Sequence, residues 1–247
     1  MEKQELFKKL KFEFAKIIDQ YDLQSDKINI ATQSLTPEEA IGITERKDFP
    51  ILFGKEIMLQ ADYLGAKGQA FTDAPAVFHG TLKDILNLDL TNDDHSIGLF
   101  IASMNAVMRK IELIDKTIHC KNRDPEICAN EIVSFIKDHY DDPKITLIGY
   151  QPAIIDILSK EFRLRVLDLN PDNVGQIKYG IKIEHGENDF QQAVMEWANL
   201  ILCTGSTLCN GTIVNFIDIG KEVLFFGTTI SATAKLLGLK RICPCSM

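Results

Sequence analysis

The stretch with the most evident chemistry is residues 202–212, LCTGSTLCNGT, where two thiols flank small and hydroxylated residues. If a helix follows, its N-terminal N–H groups and dipole would favour an anion there. The alternative is that Asn210 or Ser206 only caps the helix. A cap needs one such residue, whereas this loop has several. The loop lacks the lysine of a P-loop, so ATP hydrolysis is not indicated. We predict a ligand-binding loop made of Thr204, Gly205, Ser206, Thr207, Asn210 and Thr212.

The six cysteines raise the question of a soft metal, because thiolates suit zinc, copper(I) and iron–sulfur clusters. They form no C-x-x-C pair, so we expect free thiols and no structural zinc site. Cys203 is expected to be buried in a strand. Cys209 lies nearer the predicted helix start, and we predict that Cys209 and Asp168 contact a metal. The C-terminal Cys243 and Cys245 are typical of a flexible end, although Cys243 could follow a short strand.

Regularly alternating strand and helix patterns position these residues in the second half of the chain. Short apolar runs at 145–150, 164–169, 199–205 and 222–227 alternate with helical patterns at 152–162, 189–198, 210–220 and 230–238. This alternation predicts a parallel Rossmann-like sheet with helices on both faces, within a domain of residues 116–247. Ligands bind beyond the carboxyl ends of such strands. That rule adds candidate ligand-binding residues in three further loops: Gly149, Gln151, Pro152, Asp168, Asn170, Gly227 and Thr229.

Asp168 follows Gly149 by 19 residues, close to the spacing at which dinucleotide-binding folds hold a ribose. The glycine fingerprint of those folds is absent, since GYQPAI offers one glycine and a proline. A nucleoside such as S-adenosylmethionine would need less of that fingerprint. The alternative is that Asp168 caps a turn before Pro171.

The first half predicts a smaller α+β domain over residues 1–115. It combines an amphipathic N-terminal helix, strands at 27–32 and 56–73, and a strong helix at 93–114, with a further helix at 124–140 leading into the sheet. Asn105 lies within the apolar helix and needs a hydrogen-bonding partner if it is buried, so it is also a ligand-binding candidate. The charged run 44–56 is expected to be solvated, with a position facing a cleft as the alternative.

Composition narrows the classes of partner. The net charge of −8 and the pI of about 5.2 disfavour nucleic acid and anionic membrane surfaces. No apolar run is long enough to span a bilayer, and the charged N-terminus does not resemble a signal peptide. We expect a cytoplasmic protein that forms a homodimer.

No HEXXH motif or nucleophile elbow is present, and His185 and Glu187 are the candidate general bases.

Taken together, GQAFTD and IASMNAV in the first half, and IGYQP, LDLNPDN, CTGSTLCNGT and FFGTT in the second, resemble a bacterial and archaeal family labelled putative heavy-metal chelation proteins. The resemblance extends over residues 28–244. It implies an N-terminal domain similar to that of enolase, a Rossmann-like domain, and a site in the crevice between them. It also implies a link to metal chelation in cobalamin or other metal-cofactor metabolism.

Three functions follow as hypotheses. The first is binding of a metal ion, or of a metal-bearing cofactor or its precursor, in the interdomain cleft, with a transition metal or a metallated tetrapyrrole as the candidate. The second is a transferase that uses a nucleoside cofactor similar to S-adenosylmethionine, based on Gly149 and Asp168. The third is a small-molecule binding protein without catalytic activity, because no nucleophile or general base is evident.

Overall fold

The computed structural model describes residues 1–23, 29–54, 56–91 and 93–247. Residues 24–28 of the chain, and with them the start of the strand predicted at 27–32, lie outside the described residues. Within the described part, the chain forms a four-stranded antiparallel sheet followed by a seven-stranded, mainly parallel sheet.

The first sheet has the strand order β3-β2-β1-β4, with all neighbours antiparallel. Its strands are β1 (Asn29–Leu35), β2 (Ile57–Tyr63), β3 (Ala66–Thr72) and β4 (Phe78–Thr81), and its helices are α1 (Lys3–Gln20), α2 (Pro37–Ile41), α3 (Leu82–Asn87) and α4 (Asp94–Lys110). Thr36 and Glu39 form a reciprocal capping box at the start of α2. A single 3-10 turn, Pro50–Phe53, precedes β2.

Helix α4 is the central element of the first half and is buried from Ser96 to Met108. It lies very close to β3. A Cβ atom at Gly68 would stand 2.2 Å from the backbone nitrogen of Ala106 and 2.5 Å from the carbonyl oxygen of Ala102. Only glycine permits this approach, which explains the small residues on both elements.

The second sheet has the order β11-β10-β9-β5-β6-β8-β7, and every pairing except β7 with β8 is parallel. The six parallel strands follow the 3-2-1-4-5-6 order of doubly wound sheets. The elements are α5 (Asp124–His139), β5 (Ile145–Ile148), α6 (Pro152–Glu161), β6 (Leu164–Asp168), β7 (Ile177–Lys178), β8 (Ile181–His185), a π-helix (Gln191–Trp197), β9 (Leu200–Thr204), β10 (Glu222–Phe226), α7 (Ser231–Leu237) and β11 (Arg241–Ile242).

Alternate residues of β9 belong to different cores. Leu200 and Leu202 pack with α5 and α6, whereas Ile201 and Cys203 pack with α1, α4 and α7. Both faces of the sheet are therefore covered by helices, and the predicted fold class is confirmed. Because α1 and α4 share a core with the second sheet, the boundary between residues 115 and 116 stays a prediction.

One predicted helix is wrong. Residues 210–220 form only a 3-10 turn, Thr212–Asn215, between bends. Gly211 and Asp218 have φ of 79° and 57°, which an α-helix does not accept. The segment instead turns Ile213 and Phe216 into the core.

Within the described ranges, every helix is too short or too polar to span a bilayer.

Candidate functional site

A cavity of about 480 Å³ lies at the carboxyl ends of β5, β6, β9 and β10. Sites for small molecules commonly have this size. The opposite wall comes from the first half of the chain and includes Pro50, Glu56 and the end of β3. Of the residues predicted to bind a ligand or metal, those that line the cavity are Gly149, Gln151, Asp168, Asn170, Thr204, Gly205, Ser206, Thr207, Cys209, Asn210, Thr212, Gly227 and Thr229.

The cavity lies where the chain order reverses. Strand β5 lies between β6 and β9 in the sheet. The loops that follow the neighbouring strands β5 and β9 therefore diverge. Gly149 has φ of 95°, and a Cβ atom there would stand 2.7 Å from Cγ2 of Thr204. The glycine therefore lets these two loops meet at the bottom of the crevice.

The start of α6 is a poor anion site. Gln151 caps the helix by accepting a hydrogen bond from the Ala153 N–H at 3.3 Å, and Pro152 has no N–H to offer. Pro152 is buried and is not among the described lining residues. Two of the donors that would normally bind a pyrophosphate are therefore missing or occupied.

Asp168 acts as an acceptor for its own neighbourhood. Oδ2 accepts a hydrogen bond from the Tyr150 N–H at 2.7 Å, while Oδ1 accepts from the Asn170 N–H at 2.7 Å and from the Asn173 side-chain amide at 3.3 Å. The carboxylate thus joins the loops after β5 and β6. One lone pair of Oδ2 remains for a ligand.

In the Thr204–Thr212 loop, most hydroxyl protons are used locally. The hydroxyl of Thr207 donates to the Thr204 carbonyl, and that of Thr212 donates to Oδ1 of Asn210, both at 2.7 Å. Thr204 and Ser206 share one hydrogen bond at 3.0 Å. A 3-10 turn, Gly205–Leu208, with Thr204 as its N-cap, takes the place of a longer helix start. Because the helix expected over 210–220 is absent and these hydroxyls are largely paired, the loop offers fewer side-chain donors to an anion than the sequence suggested.

Asn105, which we predicted to bind a ligand, has a structural role. Its amide donates to the carbonyl oxygens of Gln69, Thr228 and Thr229, at 2.9, 3.2 and 3.2 Å, and its Oδ1 accepts from the Ala232 N–H at 2.9 Å. The side chain is fully buried and does not line the cavity in the described part. It fastens α4 to the loop that follows β10.

Glu56 lines the cavity, although we did not predict it as a ligand-binding residue. Burial raises its pKa from 4.5 to about 7, and the charge of Asp168 adds to the rise. The carboxyl group therefore changes protonation near neutral pH, where a general acid or base is effective. The only signal in the sequence was its place in the charged run 44–56.

His119 is a second unforeseen lining residue. Its Nδ1 lies 2.6 Å from the Cys120 carbonyl oxygen. Since a carbonyl only accepts, Nδ1 carries the proton and Nε2 keeps its lone pair. Burial lowers the pKa of the ring to about 4, so the imidazole is neutral at pH 7. It also contacts the Phe71 ring edge-on at 5.2 Å.

The two candidate general bases differ in position. Glu187 lines the cavity, whereas His185 does not among the described lining residues. Nδ1 of His185 accepts hydrogen bonds from the N–H groups of Glu187 and Asn188, at 3.1 and 3.3 Å. That ring nitrogen stabilises a turn, so it is a poor proton acceptor for a substrate.

The predicted metal ligands do not form a preformed centre. Cys209 is 7% exposed, and burial followed by the charge of Asp73 raises the pKa of its thiol. Among the described residues, no group of three or more His, Cys, Asp or Glu side chains is arranged to hold a metal ion. The donor types of the cavity suit a metal, but the described residues supply no complete coordination shell in this arrangement.

The charges that line the cavity have one sign. Four carboxyl groups contribute, those of Glu56, Asp73, Asp168 and Glu187, and no Lys or Arg is found in the described lining. A cleft with this lining attracts positive charge and repels anions.

Comparison with known families matches residues 133–241 to the DUF364 family, whose description is putative heavy-metal chelation. The family resemblance of the sequence is thereby confirmed. The chain is also similar to a DUF364 protein of unknown function from Pyrococcus horikoshii, with a TM-score of 0.52 and 14% identity over 88% of this chain and 79% of that one. A DUF364 protein of unknown function from Desulfitobacterium hafniense gives 0.51 and 12% over 91% and 83%. These likenesses support the fold. No curated protein sequence matches.

Proposed function

We propose that the chain binds a small, positively charged ligand in the cavity at the strand ends. The observation that carries this proposal is the lining, which has four carboxyl groups and no Lys or Arg in its described part. Partial burial strengthens the attraction, because two opposite unit charges 6 Å apart gain about 3 kcal/mol at an effective dielectric constant of 20. The family description directs this ligand class towards metals.

Within that class, we favour a metal that brings most of its own ligands. No set of three protein donors is arranged for a bare ion in the described residues, yet the carboxyl groups and the Nε2 of His119 could contact a metal complex. A small, cationic transition-metal chelate is consistent with this requirement. Binding a cation would also lower the pKa of Glu56, so a proton would leave with ligand uptake near pH 7.

The test compares two inert cobalt complexes of similar shape and opposite charge, hexamminecobalt(III) and hexacyanocobaltate(III), by isothermal titration calorimetry. Because neither exchanges ligands readily, each reports on charge alone. We expect the cation to bind and the anion not to bind. Glu56→Gln should weaken the cation about tenfold at pH 8, or about 1.4 kcal/mol.

The matched control is Glu45→Gln, which removes an equal charge from an exposed position of the same charged run. It should leave the affinity within about twofold, since exposed charges are well screened. Binding of the anion in preference to the cation would overturn the proposal, and so would equal effects of the two substitutions.

A nucleoside such as S-adenosylmethionine is a second candidate, because Asp168 ends the second strand of a doubly wound order and keeps one free lone pair. A thermal-shift panel of nucleosides separates the two. Stabilisation by a nucleoside that Asp168→Ala abolishes would favour the transferase hypothesis. Stabilisation only by the cobalt cation would favour the first proposal.

A further inference from the structure

Two cysteines from the start of α5 and one from the end of the chain line the same cavity. Cys120 precedes α5, Cys128 lies in its second turn, and Cys243 follows β11. The neighbouring Cys120 thiol raises the pKa of Cys128, whereas the Cys243 thiol lowers it, so both thiols act on Cys128. All six cysteines are free thiols.

The end of the chain is held in place, contrary to the expectation of a flexible CPC end. Met247 and Ile118 exchange two backbone hydrogen bonds of 2.8 and 2.9 Å, and the Arg109 guanidinium donates to the Met247 carbonyl at 2.7 Å. The Ser246 hydroxyl donates to the Cys243 carbonyl at 2.9 Å. These contacts fix Cys243 beside the segment that carries Cys120.

A cation lies next to this thiol cluster. The Arg241 guanidinium donates to the carbonyl oxygens of Gly227 and Lys116, at 2.9 and 2.7 Å. Burial lowers the pKa of Arg241, and the nearby Cys243 thiol acts in the opposite direction. Two thiolates and one monovalent metal ion carry a net charge of −1, which the guanidinium would balance. Two thiolates suffice for a soft monovalent ion, so the absence of a three-donor group among the described residues is no obstacle.

We propose that Cys128 and Cys243 bind one soft monovalent metal ion of the copper(I) class, with Arg241 balancing its charge. This inference deepens the proposed function. It rests on that function because the ion would reach the two thiols through the same cavity. Binding converts two S–H groups into thiolates and releases two protons to solvent, with no change of oxidation state. Soft thiolate ligands select this class of ion over hard cations.

The test supplies copper(I) as its acetonitrile complex under nitrogen and measures competition with a chromogenic copper(I) chelator. We expect one tightly bound ion per wild-type chain and at least a hundredfold loss of affinity in Cys128→Ala and Cys243→Ala. Cys203→Ala is the matched control, because it removes a thiol that does not line the cavity in the described part of the chain, and it should change affinity less than threefold. Cys243 is only partly buried, so its variant tests the proposal even if Cys128→Ala fails to fold.

Copper(I) affinity unchanged in both variants would overturn the proposal. So would alkylation of only four thiols in denatured, unreduced protein, which would indicate a disulfide. Titration of wild-type protein with hexamminecobalt(III) and, separately, with copper(I) separates the two proposals. Binding of the cobalt cation together with failed copper(I) binding by wild type removes only the thiol site. Copper(I) binding without binding of the cobalt cation removes the proposed function.

Discussion

The protonation of Glu56 gives the most specific prediction. Its pKa rises from 4.5 to about 7 on folding, because burial and the charge of Asp168 disfavour the ionised form. A carboxyl group with a raised folded-state pKa contributes stability that is present at low pH and is lost as the pH rises through 7. The full effect is about 3 kcal/mol, of which about 2.5 kcal/mol falls between pH 5 and pH 8.

The assay is urea denaturation of wild type and Glu56→Gln at pH 5 and pH 8. At pH 5 the folded wild type carries a neutral Glu56, which resembles Gln. At pH 8 it carries a buried charge that the variant lacks. The free energy of unfolding of the variant, relative to wild type, should therefore rise by about 2.5 kcal/mol from pH 5 to pH 8. Glu45→Gln should show no such rise, since Glu45 is exposed. A relative change below about 0.5 kcal/mol for Glu56→Gln would mean that the folded-state pKa of Glu56 is not raised towards 7, because such a change is within the range of ordinary surface substitutions.

Further predictions concern contacts that stabilise the fold in and around the site. All are measured by urea denaturation. Asp168→Ala leaves three donors without their acceptor and should lower the free energy of unfolding by about 2–3 kcal/mol, whereas a change below about 0.5 kcal/mol would contradict the assignment. Arg46 donates to Glu126 at 3.1 Å and to Asp156 at 2.7 Å, so Arg46→Met should cost about 2–4 kcal/mol, while Lys137→Met, at an exposed ion pair, should cost under about 1 kcal/mol. Gly68→Ala should destabilise by more than about 3 kcal/mol or prevent folding, because its Cβ would meet backbone atoms of α4; near-wild-type stability would mean that α4 and β3 lie further apart.

The sheet at the end of the chain could be predicted from sequence because its strands are continuous apolar runs. The 145–150 run corresponds to β5 and the 199–205 run to β9, each shorter by a residue or two at its ends. The rule that ligands lie beyond the carboxyl ends of strands then selected the loops that line the cavity. Both steps use local patterns, which a single sequence contains.

Long-range features could not be predicted in this way. Glu56 reaches the cavity because β2 places it opposite Asp168, more than a hundred residues away in sequence. Cys243 lines the same cavity as Cys128, and the pairing of the chain end with Ile118 holds it there. The helix predicted at 210–220 had suitable apolar spacing, but the left-handed Gly211 and Asp218 turn the chain instead. Without that helix the anion hypothesis lost its main physical support.

Anomalous diffraction at the cobalt edge, from crystals soaked in hexamminecobalt(III) or hexacyanocobaltate(III), locates the bound ion directly. We expect an anomalous peak inside the cavity, near the carboxyl groups of Glu56 and Asp168, for the cation and none there for the anion. Glu56→Gln crystals soaked at the same concentration should show a weaker peak. A peak in the cavity for the anion, with the cation only at the protein surface, would mean that the cavity does not select positive charge.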